Sequence, residues 1–185
     1  MPDLSGNPLC RYFGYSGMID DDGVTRLSAA FNLAVNEGCD EVHLCFSSLG
    51  GYVHSGIYLY NHIRALPLRV VAHNAGTVAS IAVAVFLAAD ERYCSQHGVF
   101  MIHPTSLSPQ AGMTATLLQS SLNGALADDQ RTEDILRQRA VIPDSILADR
   151  RAKDVHITPD EAVTYRLVQA VREFALPQGN QILQV

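Results

Sequence analysis

The chain has 185 residues, 48% hydrophobic and 17% charged, with a net charge of −6. That length allows one domain with a sizeable core, and the apolar share excludes an intrinsically disordered chain. The acidic balance and the lack of a basic cluster leave a nucleic-acid partner without electrostatic support.

In chain order, Arg11 to Ser16 reads as a first strand ended by Gly17. Asp20-Asp21-Asp22 then supplies N-caps and first-turn acids to a helix carrying Val24, Leu27, Phe31, Ala34 and Val35 at helical spacing, with Gly38 as its stop. Glu41 to Ser47 alternates, with Val42, Leu44 and Phe46 on one face, which is a strand. Ser48-Leu49-Gly50-Gly51 is a turn, and Val53 to Leu66 a helix closed by Pro67. Leu68 to Ala72 is a β-rich run, after which Gly76 is expected to turn the chain into the apolar segment that reaches Ala89. Arg92 to Cys94 and Val99 to Ile102 are short strands. Thr114 to Val141 is a long helix and Pro143 to Arg151 a short one with proline in its first turn. Thr158-Pro159-Asp160-Glu161 opens another helix as a capping box, and Leu167 to Phe174 is a last strand. Residues 1–176 are expected to form the single domain, and 177–185 a loose tail.

This alternation argues for an α/β fold with a parallel sheet and right-handed crossovers. Active sites in such sheets lie beyond the carboxyl ends of the strands, so the Gly50-Gly51 turn and Gly76 to Ser80 belong on one edge. Met1-Pro2-Asp3-Leu4 lacks the basic and then apolar opening of a signal peptide, and the run from Ala75 to Ala89 is too short for a bilayer. No membrane association is expected. Cys10, Cys39, Cys45 and Cys94 form no C-x-x-C pair and fit reduced thiols in a cytoplasmic protein. The histidines form no H-E-x-x-H and no ligand grouping with cysteine, so neither a metal nor a cofactor is expected.

Acyl transfer by a serine needs a hydroxyl, a base, a carboxylate to orient the base, and N–H groups for the oxyanion. Ser80 is the hydroxyl candidate: at the first turn of a helix it has free N–H groups beside it, Ile81 first among them. His103 ends a strand ahead of Pro104, a position that suits a fixed imidazole. Asp154 lies just before the Thr158-Pro159 helix start. Gly51 is a second candidate oxyanion donor, and Gly50, Gly51 and Val53 a candidate edge for an extended peptide. Each residue by itself has an ordinary structural reading: a helix serine, a strand-end histidine, a loop carboxylate, a strand-to-helix turn. His54, His62 and His73 are expected on helix surfaces or at strand ends.

Taken together, Ser47-Ser48-Leu49-Gly50-Gly51, Gly76-Thr77-Val78-Ala79-Ser80-Ile81-Ala82, Met101-Ile102-His103 and Asp154 ahead of Glu161-Ala162-Val163 resemble the proteolytic subunit of the Clp protease. That family carries S-P-G-G, G-x-x-A-S-M-G and M-I-H in this order. The likeness covers Arg11 to Val171, and departs from the family where Leu49 replaces proline, Ile81-Ala82 replaces methionine-glycine and Val155 stands in place of an arginine. The resemblance implies the spiral fold shared by Clp proteolytic subunits and crotonases, with the long helix protruding as a handle. It implies Ser80 as nucleophile, His103 as general base, Asp154 as its orienter, and Gly51 and Ile81 as the oxyanion hole. It also implies a homo-oligomer of one heptameric ring or two, joined through the long helix, cutting peptides or unfolded protein supplied by an AAA+ unfoldase. Two alternatives stay open: an inactive paralogue that fills or regulates a ring, and a crotonase-like acyl-CoA enzyme.

Overall fold

A computed structural model describes residues 9–185. The opening tetrapeptide, from which no signal peptide is read, lies outside the described residues. The first unit is β1 (Cys10–Ser16), α1 (Asp21–Asn36), β2 (Glu41–Ser48), α2 (Val53–Ala65) and β3 (Arg69–Ala79). The three strands are parallel neighbours joined by crossover helices. Their alternation follows burial: Val42, Leu44 and Phe46 of β2 point into the core with Phe13 of β1 and Leu27 and Phe31 of α1. Asp20 caps α1 by accepting from Gly23 N at 2.9 Å, as its sequence position predicts.

Beyond β3 the sheet divides. The first half of β3 pairs with β4 (Glu91–Cys94), and its last residues, Thr77 to Ala79, pair with β5 (Val99–Ile102). Between β2 and β3 the register shifts: Phe46 faces Asn74, but Ser48 faces Val78. Two more residues of β3 than of β2 are fitted into that interval, which is a bulge. Ser47 clips it, its hydroxyl donating to Thr77 O at 3.2 Å and accepting from Thr77 N at 3.3 Å. The buried Asn74 supports the same bend, donating to Val99 O and accepting from Gly76 N, both at 3.0 Å.

β3 and the C-terminal tail both depart from the sequence expectation. The chain does not turn at Gly76; β3 runs on to Ala79, because the bulge absorbs the change of direction that a turn would otherwise make. The tail is not loose throughout: β8 (Ile182–Gln184) lies parallel to β1 and covers its edge.

Downstream, α3 (Ile81–Leu87) is buried along its whole length. α4 (Ala115–Arg139) is the expected long helix, capped by Thr114. α5 (Asp144–Arg150) follows, with Pro143 at the cap position and not inside the first turn. β6 (Val155–Ile157), absent from the sequence reading, pairs antiparallel with β5. α6 (Pro159–Thr164) begins with the full capping box of Thr158 and Glu161. β7 (Ala170–Val171) pairs with β4 and is much shorter than the expected last strand. Among the described residues no helix is long and apolar enough to cross a membrane.

Candidate active site

The carboxyl ends of β2, β3 and β5 meet at one edge of the sheet, and the candidate residues gather there. Ser80 falls between the end of β3 and the start of α3, with φ 57° and ψ −133°. A positive φ on a residue with a Cβ is costly, typically ~1–3 kcal/mol. The surroundings hold it: Ser80 N donates to Met101 O of β5 at 2.8 Å, Val83 N donates back to Ser80 O at 3.1 Å, and the helix behind is buried along its whole length. The sharp strand-to-helix turn therefore lies on the serine itself.

His103 follows β5 directly, and its Nε2 stands 2.7 Å from Ser80 Oγ. Strand pairing fixes what is opposite it. In the β5–β6 ladder Phe100 faces Ile157, Met101 faces His156 and Ile102 faces Val155. One further step of that register sets His103 across from Asp154. The separation of His103 Nδ1 from Asp154 Oδ1 is 4.0 Å, outside hydrogen-bond reach, and the Asp154 side chain is 62% exposed. The three residues thus converge, with one contact made and one open.

The glycine turn completes the mouth. Gly50 has φ 100°, and a Cβ there would lie 2.6 Å from Ser80 Cβ, so only glycine lets the turn pass this close to the hydroxyl. The buried Ser48 hydroxyl accepts from Gly50 N at 3.1 Å. Ile19 accepts from Tyr52 N and donates to Gly50 O, each at 2.8 Å, forming a parallel bridge to Gly51. That pattern leaves the N–H of Gly51 directed away from Ile19. Ile81 is the first residue of α3, so its N–H has no carbonyl within the helix. Val53 is already helical, which ends the extended stretch at Tyr52. A cleft of about 450 Å³ runs inward from Ser80, His103 and Gly51 between α4 and the sheet.

The comparisons bear on this arrangement. The family model of the Clp protease matches residues 14–174, which spans all of these residues. The chain belongs to the Clp protease family. The ATP-dependent Clp protease proteolytic subunit 2 of Pseudomonas aeruginosa is 25% identical over 169 residues, covering 88% of this chain and 83% of the relative. The ATP-dependent Clp protease proteolytic subunit of Paracoccus denitrificans is 27% identical over 153 residues, covering 81% and 76%. A ClpP1 mutant structure from Listeria monocytogenes superposes with a TM-score of 0.78 over 89% of this chain and 92% of that one, at 19% identity, a likeness of fold.

Within this Clp-family framework, some residues that shape the site escaped the sequence reading. Asn74 lies outside every motif, and Ser48 and Met101, though inside two of them, act through hydrogen bonds to or from the main chain that the motifs do not show. His73 lies inside β3, 4% exposed, and not at a strand end, because β3 is longer than expected. Burial first, then the neighbouring His43 and Arg172, push its pKa down to about 4. His54 and His62 are on α2 as expected, with the His54 side chain 72% exposed.

Proposed function

We propose that this Clp-family chain is a serine endopeptidase subunit, with Ser80 as nucleophile, His103 as general base and Asp154 as its orienter. The observation that carries the reading is the 2.7 Å contact between Ser80 Oγ and His103 Nε2 at a strained turn. His103 takes the proton as Ser80 Oγ bonds to the scissile carbonyl carbon. The N–H groups of Gly51 and Ile81 receive the negative charge that forms on the carbonyl oxygen. His103 returns the proton to the leaving amine; water, deprotonated by the same imidazole, then bonds to the acyl carbon, and the imidazolium gives that proton to Ser80 Oγ as the acyl C–O bond breaks. Gly50, Gly51 and Val53 border the substrate; Tyr52 donates to Ile19 O and its own carbonyl accepts from Gly56 N, which leaves main-chain pairing to Gly51.

The subunit acts in a cytoplasmic homo-oligomer, one heptameric ring or two stacked. Unfolded protein is supplied by an AAA+ ATPase, a reading supported by the words ATP-dependent and proteolytic subunit in the names of the relatives. The row Leu118, Leu122 and Leu126 on α4, each more than two-fifths exposed, supports this helix as the contact between rings. The 4.0 Å gap at Asp154 supports a second, narrower reading: the His103–Asp154 contact closes only on assembly or on substrate binding.

Intact mass after treatment with a fluorophosphonate tests the first reading. Wild type gains one probe, and Ser80→Ala gains none. Labelling that persists in Ser80→Ala would place the nucleophile elsewhere. A wild type that resists the probe even in the assembled ring would identify an inactive paralogue.

A further inference from the structure

One buried cation lining the active-site cleft has no part in the proposed chemistry. Arg150, the last residue of α5, lines the cleft and is 2% exposed. Its Nη2 is 3.6 Å from Asp129 Oδ1 and its Nη1 3.8 Å from Glu133 Oε2, both beyond hydrogen-bond distance. The acceptors are committed elsewhere. Asp129 Oδ1 accepts from Thr105 N at 2.7 Å and Thr105 Oγ1 at 2.8 Å. Glu133 accepts from Arg151 at 2.8 to 3.1 Å and from Arg137 at 3.1 Å. Nε and Nη1 of Arg150 are buried and lack any hydrogen-bond partner. Buried donors left in this state are rare, because their desolvation is not compensated.

From these contacts we infer that Arg150 is a specificity-determining residue, which selects a substrate with a primary carboxamide side chain, glutamine above all, on the acyl side of the cut bond. The inference rests on the peptidase reading of the same site. A guanidinium has donors only, so the group that completes it must bring an acceptor oxygen. The arginines around Glu133, namely Arg137, Arg150 and Arg151, are matched by Glu133, Asp129 and Asp144, and Asp128, which lines the cleft, is paired with Arg131, so the local charge is already balanced. A further carboxylate meets repulsion there, whereas a neutral carboxamide offers its oxygen to Arg150 and its NH₂ to the acids. Val83, Ile102 and Leu136 line the walls, matching the methylenes of glutamine.

The test uses the intact chain and peptides that differ only at that residue: glutamine, methionine or glutamate. The glutamine peptide is cut with kcat/KM at least about tenfold above its methionine analogue, since a site built to donate hydrogen bonds discriminates strongly against a side chain that cannot accept them. It also exceeds the glutamate peptide. Equal rates for glutamine and methionine overturn the inference, and a faster glutamate peptide overturns the carboxamide assignment. Calorimetric affinities of the same peptides for Ser80→Ala follow the same order with no chemistry involved. A chain that prefers glutamine in binding but takes no fluorophosphonate refutes the peptidase reading alone. A chain that takes the probe and treats the peptides alike refutes the role of Arg150 alone. Arg150→Met brings the glutamine-to-methionine ratio close to one; should that variant fail to fold, the wild-type ratios decide.

Discussion

At the scale of single residues, the candidate site depends on close approach and on one open contact. Gly50 packs so near Ser80 that a methyl group in its place would sit 2.6 Å from Ser80 Cβ, and its φ of 100° disfavours any side chain. Gly50→Ala is expected to shift the hydroxyl and lower kcat/KM for a peptide by about a hundredfold, the usual consequence of an ångström-scale misplacement. Steady-state kinetics beside circular dichroism separates that loss from unfolding. Asp154 presents the opposite case, exposed and 4.0 Å from His103. If the contact closes in the working enzyme, Asp154→Asn slows fluorophosphonate labelling of Ser80 by about a thousandfold, because the orienting carboxylate also stabilises the imidazolium. Labelling at the wild-type rate would mean that the gap persists and that His103 works without it. The serine, histidine and aspartate were legible as motifs. The missing hydrogen bond was not, because a motif reports residue order and not side-chain separation.

At the scale of elements, the sheet face formed by β1, β2, β3 and β4 carries a stack of rings that periodicity alone does not reveal. Tyr12 stacks on His43, His43 on His73 and His73 on Tyr93, with Arg172 over Tyr93 and Phe174 edge-on to His73. His43 Nδ1 and His73 Nε2 are 3.1 Å apart, and His43 Nε2 meets Glu41 at 2.8 Å. The folded chain holds the pKa of His73 near 4 against the ordinary 6.5, with burial as the largest cause. Between those values the unfolded chain binds the extra proton, so stability rises with pH across the window. It is complete above the unfolded value and falls by up to about 3 kcal/mol as pH drops toward the folded one. Urea midpoints measured from neutral pH to pH 4 should show this slope, and His73→Phe should flatten it. The strands themselves were legible from β2, where Val42, Leu44 and Phe46 alternate. The bulge in β3 was not, since the offset of Phe46 and Ser48 against Asn74 and Val78 is a property of pairing.

At the scale of the molecule, the long helix α4 carries a row of exposed apolar side chains that suits a partner. Leu117, Leu118, Leu122 and Leu126 are between 42% and 58% exposed, and three of them recur every fourth residue along one face. On the proposed ring assembly, Leu122→Glu at that face is expected to give smaller species than wild type, read by native mass spectrometry, with the far-ultraviolet spectrum unchanged. A particle of unaltered mass would move the ring contact away from α4. The other end of the fold carries its own protection: β8 covers the edge of β1, where an unpaired strand would invite association.

By itself the sequence missed β6 and β8 but determined the helices and the strands β1 to β5 in their order, the family, and the candidate residues Ser80, His103, Asp154, Gly51 and Ile81. These are written in local periodicity, caps and short motifs, each spanning a few residues. Tertiary structure alone decided that the sharp turn falls on Ser80 and not on Gly76, because strand pairing across the bulge carries β3 that far. It decided that the antiparallel register of β5 with β6 sets Asp154 opposite His103, two residues 51 positions apart in the chain. It also brought Arg150 into the cleft with donors unfilled, since only packing determines which buried groups find partners.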